Sequence, residues 1–551
     1  MVKAEFENRF KSIVLQEQDR REFIRRSLGL GLALPFAGAL VGPANVLAAP
    51  NAQDTPKSGG TITLAVASSP ISWDLKSSNW DNNYAIQDNL YDPLFVLNEK
   101  EEPQPWLAES WTVSDDGLTY EFKLRQGVTF HDGTPLNAEA IKFTIEYYRA
   151  DPAAVAFYGF TEIDQVTVVD DSTVQVHLSV PTFPMIFRLG SLPALSPTAI
   201  QAAGADYASK PVGTGPFKFK SFEPDSQIVY ERNENYWHGV PPLDGLIVRI
   251  MPEAEVQVIE LQAGTVDVVF LPPNKDVQGL EDQGLTITKT ITPSIEFVSM
   301  NCAFGFTKEL AVRKAIARAI DRDTIIAQTQ YGLVEKSRAG NSTVSPYYTE
   351  TVPKITYDPA AAAKLLDDAG WVLGDGDIRS KDGEQLKLIM VNTEYLDWGQ
   401  LNLIIQDQLK KVGIACEIET LEYGAYLDRW RDTDTWNITY HDQGFPRHTD
   451  AAVPTATDPD HYWNVNHIDN STDPELMAVA DKMRELYKTF NGSLDAATRK
   501  DAAVQIQQIV YDNQLSFWLF HKIWVYVLQA DVKDYRIESS IVKFDSVWLD
   551  D

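Results

Sequence analysis

The stretch Leu124-Arg125-Gln126-Gly127-Val128-Thr129-Phe130-His131-Asp132-Gly133-Thr134-Pro135-Leu136, followed by Asn137-Ala138-Glu139, reads as the end of a strand, two turns and the start of a helix. Thr119 to Leu124 alternates as a strand does. Gly127 and Gly133 permit tight turns, because glycine has no Cβ to clash where φ is positive. Asn137 carries a short side-chain oxygen of the kind that caps a helix, so a helix is expected directly after it.

Outward from this stretch the same grammar recurs. Thr61 to Val66 alternates with β-branched residues and opens the folded part of the chain, and Val166 to Val169 and Ser172 to Leu178 alternate again. Turn signals at Asp115-Asp116-Gly117 and Asp170-Asp171-Ser172 make this region a hairpin-rich layer. Further on, Val312, Ala315, Ile316, Ala319 and Ile320 form a helical stripe. Asp358 and Pro359 start a helix that Gly370 stops. A strand over Leu386 to Val391, a helix over Leu401 to Val412 closed by Gly413, and a strand over Ile414 to Leu421 imply a parallel α/β unit. Helices around Pro474 to Tyr487 and Ala496 to Asp512 precede Phe517 to Leu528, an aromatic-rich run expected to be a buried strand.

The chain has 551 residues, of which 44% are hydrophobic, and one core rarely grows beyond about 250 to 300 residues, so two lobes or more are expected. The 48 Lys+Arg against 78 Asp+Glu give a formal charge of −30, which repels phosphate backbones and excludes nucleic acid as a partner. The two cysteines, Cys302 and Cys416, form no disulfide framework. They are either two buried free thiols or a single bridge.

Asp19-Arg20-Arg21-Glu22-Phe23-Ile24-Arg25-Arg26 precedes an uncharged stretch from Ser27 to Ala49 that ends in small residues. This order resembles a bacterial twin-arginine export signal. The stretch from Leu28 to Ala49 is long enough for a membrane anchor, for which roughly 20 residues suffice, but Pro35, Pro43 and Asn45 weaken that reading. Residues 1–49 are therefore expected to be a signal peptide and 50–60 a linker, with a soluble periplasmic protein after them.

Several blocks carry a wider resemblance. The opening stretch, Pro211-Val212-Gly213-Thr214-Gly215-Pro216-Phe217-Lys218, Arg232-Asn233-Glu234-Asn235-Tyr236-Trp237, Pro242-Leu243-Asp244, Tyr357-Asp358-Pro359, and Gln408-Leu409-Lys410-Lys411-Val412-Gly413-Ile414 resemble, in order and spacing, the extracellular solute-binding proteins of family 5, the peptide/nickel type. The resemblance implies an α/β type II periplasmic binding protein of the cluster C kind: two α/β lobes joined by a hinge, plus an extra hairpin-rich domain. Lobe I would comprise 61–95, 211–300 and 525–551, the extra domain 96–210, and lobe II 301–524. It also implies a non-catalytic, cofactor-free monomer that hands a small solute to an ABC-transporter permease and its ATPase. The absence of a G-x-S-x-G elbow and of a Gly-rich loop ending in Lys-Ser or Lys-Thr agrees with a chain that is no enzyme.

In peptide-binding relatives an aspartate late in lobe II pairs with the ligand's α-ammonium, and the matching segment Ile438 to Gly444 offers Asp442, beside Tyr440. A loop carboxylate in solvent is the other reading of Asp442. Dipeptide-binding relatives place an arginine after the strand equivalent to Leu386 to Val391, whereas this loop reads Asn392-Thr393-Glu394-Tyr395-Leu396-Asp397-Trp398. Without that cation a ligand of fixed dipeptide length is disfavoured. An oligopeptide is the first expectation, and an oligosaccharide, an opine-like or cationic small solute, or a nickel complex are the alternatives. Glu394, Tyr395 and Trp398, with Trp73, Trp80, Tyr84 and Trp463, complete the candidate ligand-binding residues, the aromatic ones as stacking faces. His441, His448, His461 and His467 fall near several aspartates but match no standard metal-ligand spacing, so no metal is assigned. Asp375-Gly376-Asp377-Ile378-Arg379 is expected to be a hairpin turn.

Overall fold

A computed structural model describes residues 56–551 apart from 71–72, 74, 76–85, 99–100, 152–153, 156–158, 375, 394–397, 444–454, 462–463, 537–541 and 551. The twin-arginine segment, Trp80, Tyr84, Glu394, Tyr395 and Trp463 lie outside the described residues.

In chain order the strands are β1 (Thr61–Val66), β2 (Ala108–Val113), β3 (Thr119–Leu124), β4 (Ile163–Asp170), β5 (Thr173–Leu178), β6 (Phe217–Glu223), β7 (Gln227–Arg232) and β8 (Gly245–Ile250). Then follow β9 (Val268–Phe270), β10 (Thr286–Met300), β11 (Val334–Lys336), β12 (Lys387–Thr393), β13 (Ala415–Leu421), β14 (Ile438–Gln443) and β15 (Ser516–Leu528). The main helices are α1 (Ala138–Arg149), α2 (Leu310–Ala319), α3 (Pro359–Asp368), α4 (Gly399–Lys410), α5 (Tyr423–Arg431), α6 (Pro474–Gly492) and α7 (Ala496–Asn513).

An 11-stranded sheet runs β13-β12-β14-β10-β15-β9-β1-β8-β7-β6, with β11 added to β15. β1 lies parallel to β8 and β9 in the first half, and β12 lies parallel to β13 and β14 in the second. The two halves meet at β10 and β15, which pair antiparallel along nearly their whole length. A separate antiparallel sheet, β2-β3-β5-β4, forms the hairpin-rich layer, and α1 contacts it.

Local chemistry explains these boundaries. The Asn137 side chain accepts from the Ala140 N–H at the start of α1, and Asp358 does the same for Ala361 at the start of α3, where Pro359 occupies the first turn. Gly413, at φ 84°, ends the turn after α4 and releases the chain into β13, completing the parallel unit read from the sequence. Val372–Leu373 and Arg379–Lys381 pair antiparallel around Asp377, so that segment is a hairpin.

The opening motif contacts the second one directly. The His131 Nε2–H donates to the Gly215 carbonyl at 3.0 Å, and the Gly213 N–H donates to His131 Nδ1 at 3.3 Å, which fixes a neutral imidazole. Gly213 has no alternative here, because a Cβ on it would stand 2.0 Å from the Leu90 carbonyl oxygen.

One large core joins residues such as Leu64, Phe122, Tyr148 and Val248 with Trp524, Val542 and Phe544, and a second gathers Phe297, Ile316, Leu388, Trp430, Tyr440 and Phe517. A smaller cluster, with Ala65, Leu261 and Val527, packs on the first half of the sheet as well. Residues 56–551 hold together as one compact unit, because the sheet continues through both halves. A further tie lies outside the sheet, where the Arg499 guanidinium sits 3.4 Å over the Phe183 ring and the Phe183 N–H donates to the Asn491 carbonyl. Cys302 follows β10, Cys416 lies on β13, and both are free thiols. Three strand spacings separate those strands, roughly 14 Å at about 4.8 Å each, too far for a bridge.

Asp92 organises the first half. Its fully buried carboxylate accepts from Trp106 Nε1 (2.8 Å), Tyr236 Oη (3.2 Å), Thr214 Oγ1 (2.9 Å) and Trp237 Nε1 (3.0 Å), and pairs with the Lys543 ammonium. Burial pushes this carboxyl up, but Lys543 and the other donors outweigh it and hold the group below its usual range. Asp92→Ala would leave the Lys543 ammonium buried and uncompensated, so a loss of about 3 to 5 kcal/mol is expected in urea unfolding. A loss under about 1 kcal/mol would show that the pair does not hold this region.

Candidate ligand-binding site

The pairing of β10 with β15 is broken twice, between Ile291 and Ile295 and again between Glu296, which faces Phe520, and Phe297, which faces Trp518. Ile291 faces Ile523 and Ile295 faces His521, so Thr292, Pro293 and Ser294 on β10 stand opposite Lys522 alone. Proline brings no N–H to a ladder, and a bulge is where a strand tolerates it. The Thr292 hydroxyl donates to the Lys522 carbonyl at 3.0 Å and closes the bulge.

Here the sheet gathers its charges. Glu296 on β10 is the register partner of Asp442 on β14, so the two carboxylates share one face. The Lys522 ammonium reaches both, 3.0 Å from Glu296 Oε1 and 3.1 Å from Asp442 Oδ2. Side-chain exposure is 6% for Glu296, 32% for Asp442 and 31% for Lys522, so the cluster has a buried floor and an open mouth. Burial pushes Glu296 above its usual range, with Lys522 opposing and Asp442 adding to the rise. Burial acts the same way on Asp442, but the Lys522 charge outweighs it and holds that carboxyl low.

Of the predicted site residues within the described part, Asp442 alone presents a partly open polar group. Tyr440, two residues earlier on the same face, is 1% exposed and packs edge-on to Trp398 with centroids 5.0 Å apart. Its hydroxyl is buried without a hydrogen-bond partner, as is Asn392 Oδ1 at the end of β12. Trp398 is itself 5% exposed. Trp73 lies in the first core, edge-on to Phe219 and Phe222, and is not grouped with the others. Glu296 and Lys522 were not singled out from the sequence. Their signal was available, since each is a lone charge inside an apolar strand, Ile295-Glu296-Phe297-Val298 and Phe520-His521-Lys522-Ile523.

His441 points to the opposite face, where its Nδ1 lies 3.0 Å from the Tyr426 hydroxyl among Phe297 and Trp430. His467 donates from Nε2 to the Trp430 carbonyl at 2.7 Å. Among the described residues no group of three or more His, Cys, Asp or Glu is placed to hold a metal ion.

Two large cores on one continuous sheet, with a charged cluster beside the junction of its halves, define a two-halved α/β protein. Residues 102–464 match the model of the bacterial extracellular solute-binding proteins, family 5, and the chain belongs to that family. The oligopeptide-binding protein AppA of Bacillus subtilis is 28% identical over 398 residues, 68% of this chain and 71% of its own length. The nickel-binding periplasmic protein of Escherichia coli is 28% identical over 399 residues, 69% of this chain and 75% of its own. The crystal structure of NikA from Brucella suis in complex with Fe(III)-EDTA superposes with a TM-score of 0.80 at 25% identity, covering 89% of this chain and all of that one. The fold is thus the type II periplasmic binding protein fold expected from the sequence, and the family serves ABC importers. No helix among the described residues is long and apolar enough to cross a membrane.

Three imidazoles in these elements are kept neutral. Burial lowers His131, His441 and His521 to about 4 each, whereas an unfolded histidine titrates near 6.5. Between those values the unfolded chain binds more protons, so stability is complete above about pH 6.5 and falls as the pH drops toward 4. Urea midpoints should decline across that window, less steeply in His441→Gln. A flat profile would contradict the burial of these rings.

Proposed function

We propose that this chain is the substrate-binding component of an ABC importer that captures an oligopeptide between two lobes, through Asp442, and delivers it to the membrane permease and ATPase. The observation that carries the reading is the partly open Asp442 carboxylate, ionised and set on a rigid strand beside the crossing of the two halves. The peptide-binding relative AppA supports the ligand class. No arginine stands in the loop 392–398 to receive a terminal carboxylate at fixed length, which favours longer peptides held by their backbones. Trp398 and Tyr440, packed edge-on in the core, offer little free ring face for stacking a sugar. The likeness to NikA with Fe(III)-EDTA favours a metal chelate as the second reading.

The lobes in this proposal are 61–95 with 211–300 and 525–551, and 301–524, with 96–210 as the extra domain. The hinge is the bulged crossing of β10 and β15, where the ladder is broken and backbone angles can change. A ligand that touches both lobes only when they close shifts the population toward the closed state. The export route is the twin-arginine pathway and the site of action the periplasm.

A charge-assisted hydrogen bond to Asp442 contributes about 1.5 to 3 kcal/mol. Asp442→Asn is therefore expected to weaken a tetrapeptide by about 10- to 100-fold in calorimetry, and unchanged affinity would remove Asp442 from the site. Small-angle scattering should show a smaller radius of gyration at saturating peptide. An unchanged radius would overturn closure.

A further inference from the structure

We infer that Lys522 is an internal substitute for the ligand's ammonium, and that Glu296 is the carboxylate that keeps Lys522 when the ligand takes Asp442. The inference deepens the peptide reading and rests on its assignment of Asp442 as the ligand's partner.

The charge count motivates it. Among the described residues two carboxylates share one ammonium, Asp442 and Glu296 against Lys522, so these three groups when ionised sum to one negative charge. A second ammonium brings it to neutrality, whereas an anion would add to the excess. Geometry decides which carboxylate the newcomer meets. Asp442 is 32% exposed and Glu296 only 6%, so a ligand reaches Asp442 and finds Glu296 beneath it.

Lys522 has no need to leave. It already lies 3.0 Å from Glu296, and a carboxylate buried that deeply is costly to strand without a partner. The exchange is then a small movement: Lys522 relaxes onto Glu296, and the ligand's N–H groups take over Asp442. Separately, the Tyr440 hydroxyl lies buried and unpartnered two residues along the same face, and Asn392 Oδ1 is unpartnered at the end of β12. Buried polar atoms are nearly always paired, so these two mark polar contacts that the described residues do not supply.

A cation built into the site competes with the cargo. Removing its second anchor should strengthen that competition, and removing the cation should abolish it. Calorimetry on the full chain with tetra-alanine, N-acetyl-tetra-alanine, 1,4-diaminobutane and succinate tests this. For wild type, tetra-alanine should bind and its acetylated form should bind at least tenfold more weakly. Glu296→Gln removes one carboxylate anchor of Lys522, turns it toward Asp442 and should weaken tetra-alanine at least tenfold, although Glu296 does not touch the ligand. Lys522→Met should tighten it, and Glu296→Gln/Lys522→Met should bind at wild-type strength or better. Should Lys522→Met fail to fold, Glu296→Gln alone decides.

If both peptides bind alike and Glu296→Gln changes neither, the inference fails while the peptide reading stands. If only 1,4-diaminobutane binds, and Glu296→Gln weakens it, the peptide reading fails and the inference stands. Binding of succinate that Lys522→Met abolishes would make Lys522 an anion receptor and overturn the inference. Failure of all four probes overturns both.

Discussion

Everything in this molecule hangs on one antiparallel pair, the long strands Thr286–Met300 and Ser516–Leu528. They are neighbours in the centre of the 11-stranded sheet and form its only bridge among the described strands between the Thr61–Val66 side and the Lys387–Thr393 side. Strand ladders are stiff along their length, because each residue's main-chain groups are committed to a partner. The three-against-one mismatch around Pro293 and Lys522, with the second register shift between Glu296 and Phe297, interrupts that commitment over one short stretch. The halves are thus joined firmly in register and loosely in angle.

Two ionic clusters show how the same groups serve different ends. The Asp92 carboxylate receives five donors and is sealed from solvent, so its charge is spent on holding Trp106, Tyr236 and Trp237 in place. Among the described residues Asp442 and Glu296 share a single lysine, and Asp442 stays partly open. Saturated networks rigidify, while an unsaturated one retains capacity for something else. The difference lies in the donor count and not in the residue types.

Much of the architecture was legible in the sequence because its signals are local. Asp358-Pro359, Asn137 and Gly413 act within a turn of themselves, and alternation over Thr119 to Leu124 or Thr61 to Val66 needs no distant partner. The charged cluster was legible only in part. Asp442 came from family resemblance, but its pairing with Glu296 and Lys522 depends on strand registers 146 and 80 residues apart in the chain. Aromatic residues were harder still, since an indole ring suits a cleft and a core equally. Trp73, Trp398 and Tyr440 all took core positions.

The closing segment of the chain has an implication for biogenesis. Val542 and Phe544 bond to Asp88 and Asn89 through their backbones, and Lys543 neutralises Asp92. The first core therefore includes residues that leave the ribosome long after their partners Asp88 and Asn89. Until about residue 545 emerges, Asp92 lacks its counter-charge, and until Leu528 does, Val268–Phe270 lacks its strand neighbour from Tyr526 to Leu528. Vectorial synthesis cannot complete this half early, as it does for domains built from one continuous stretch. Maturation of this half waits for Lys543.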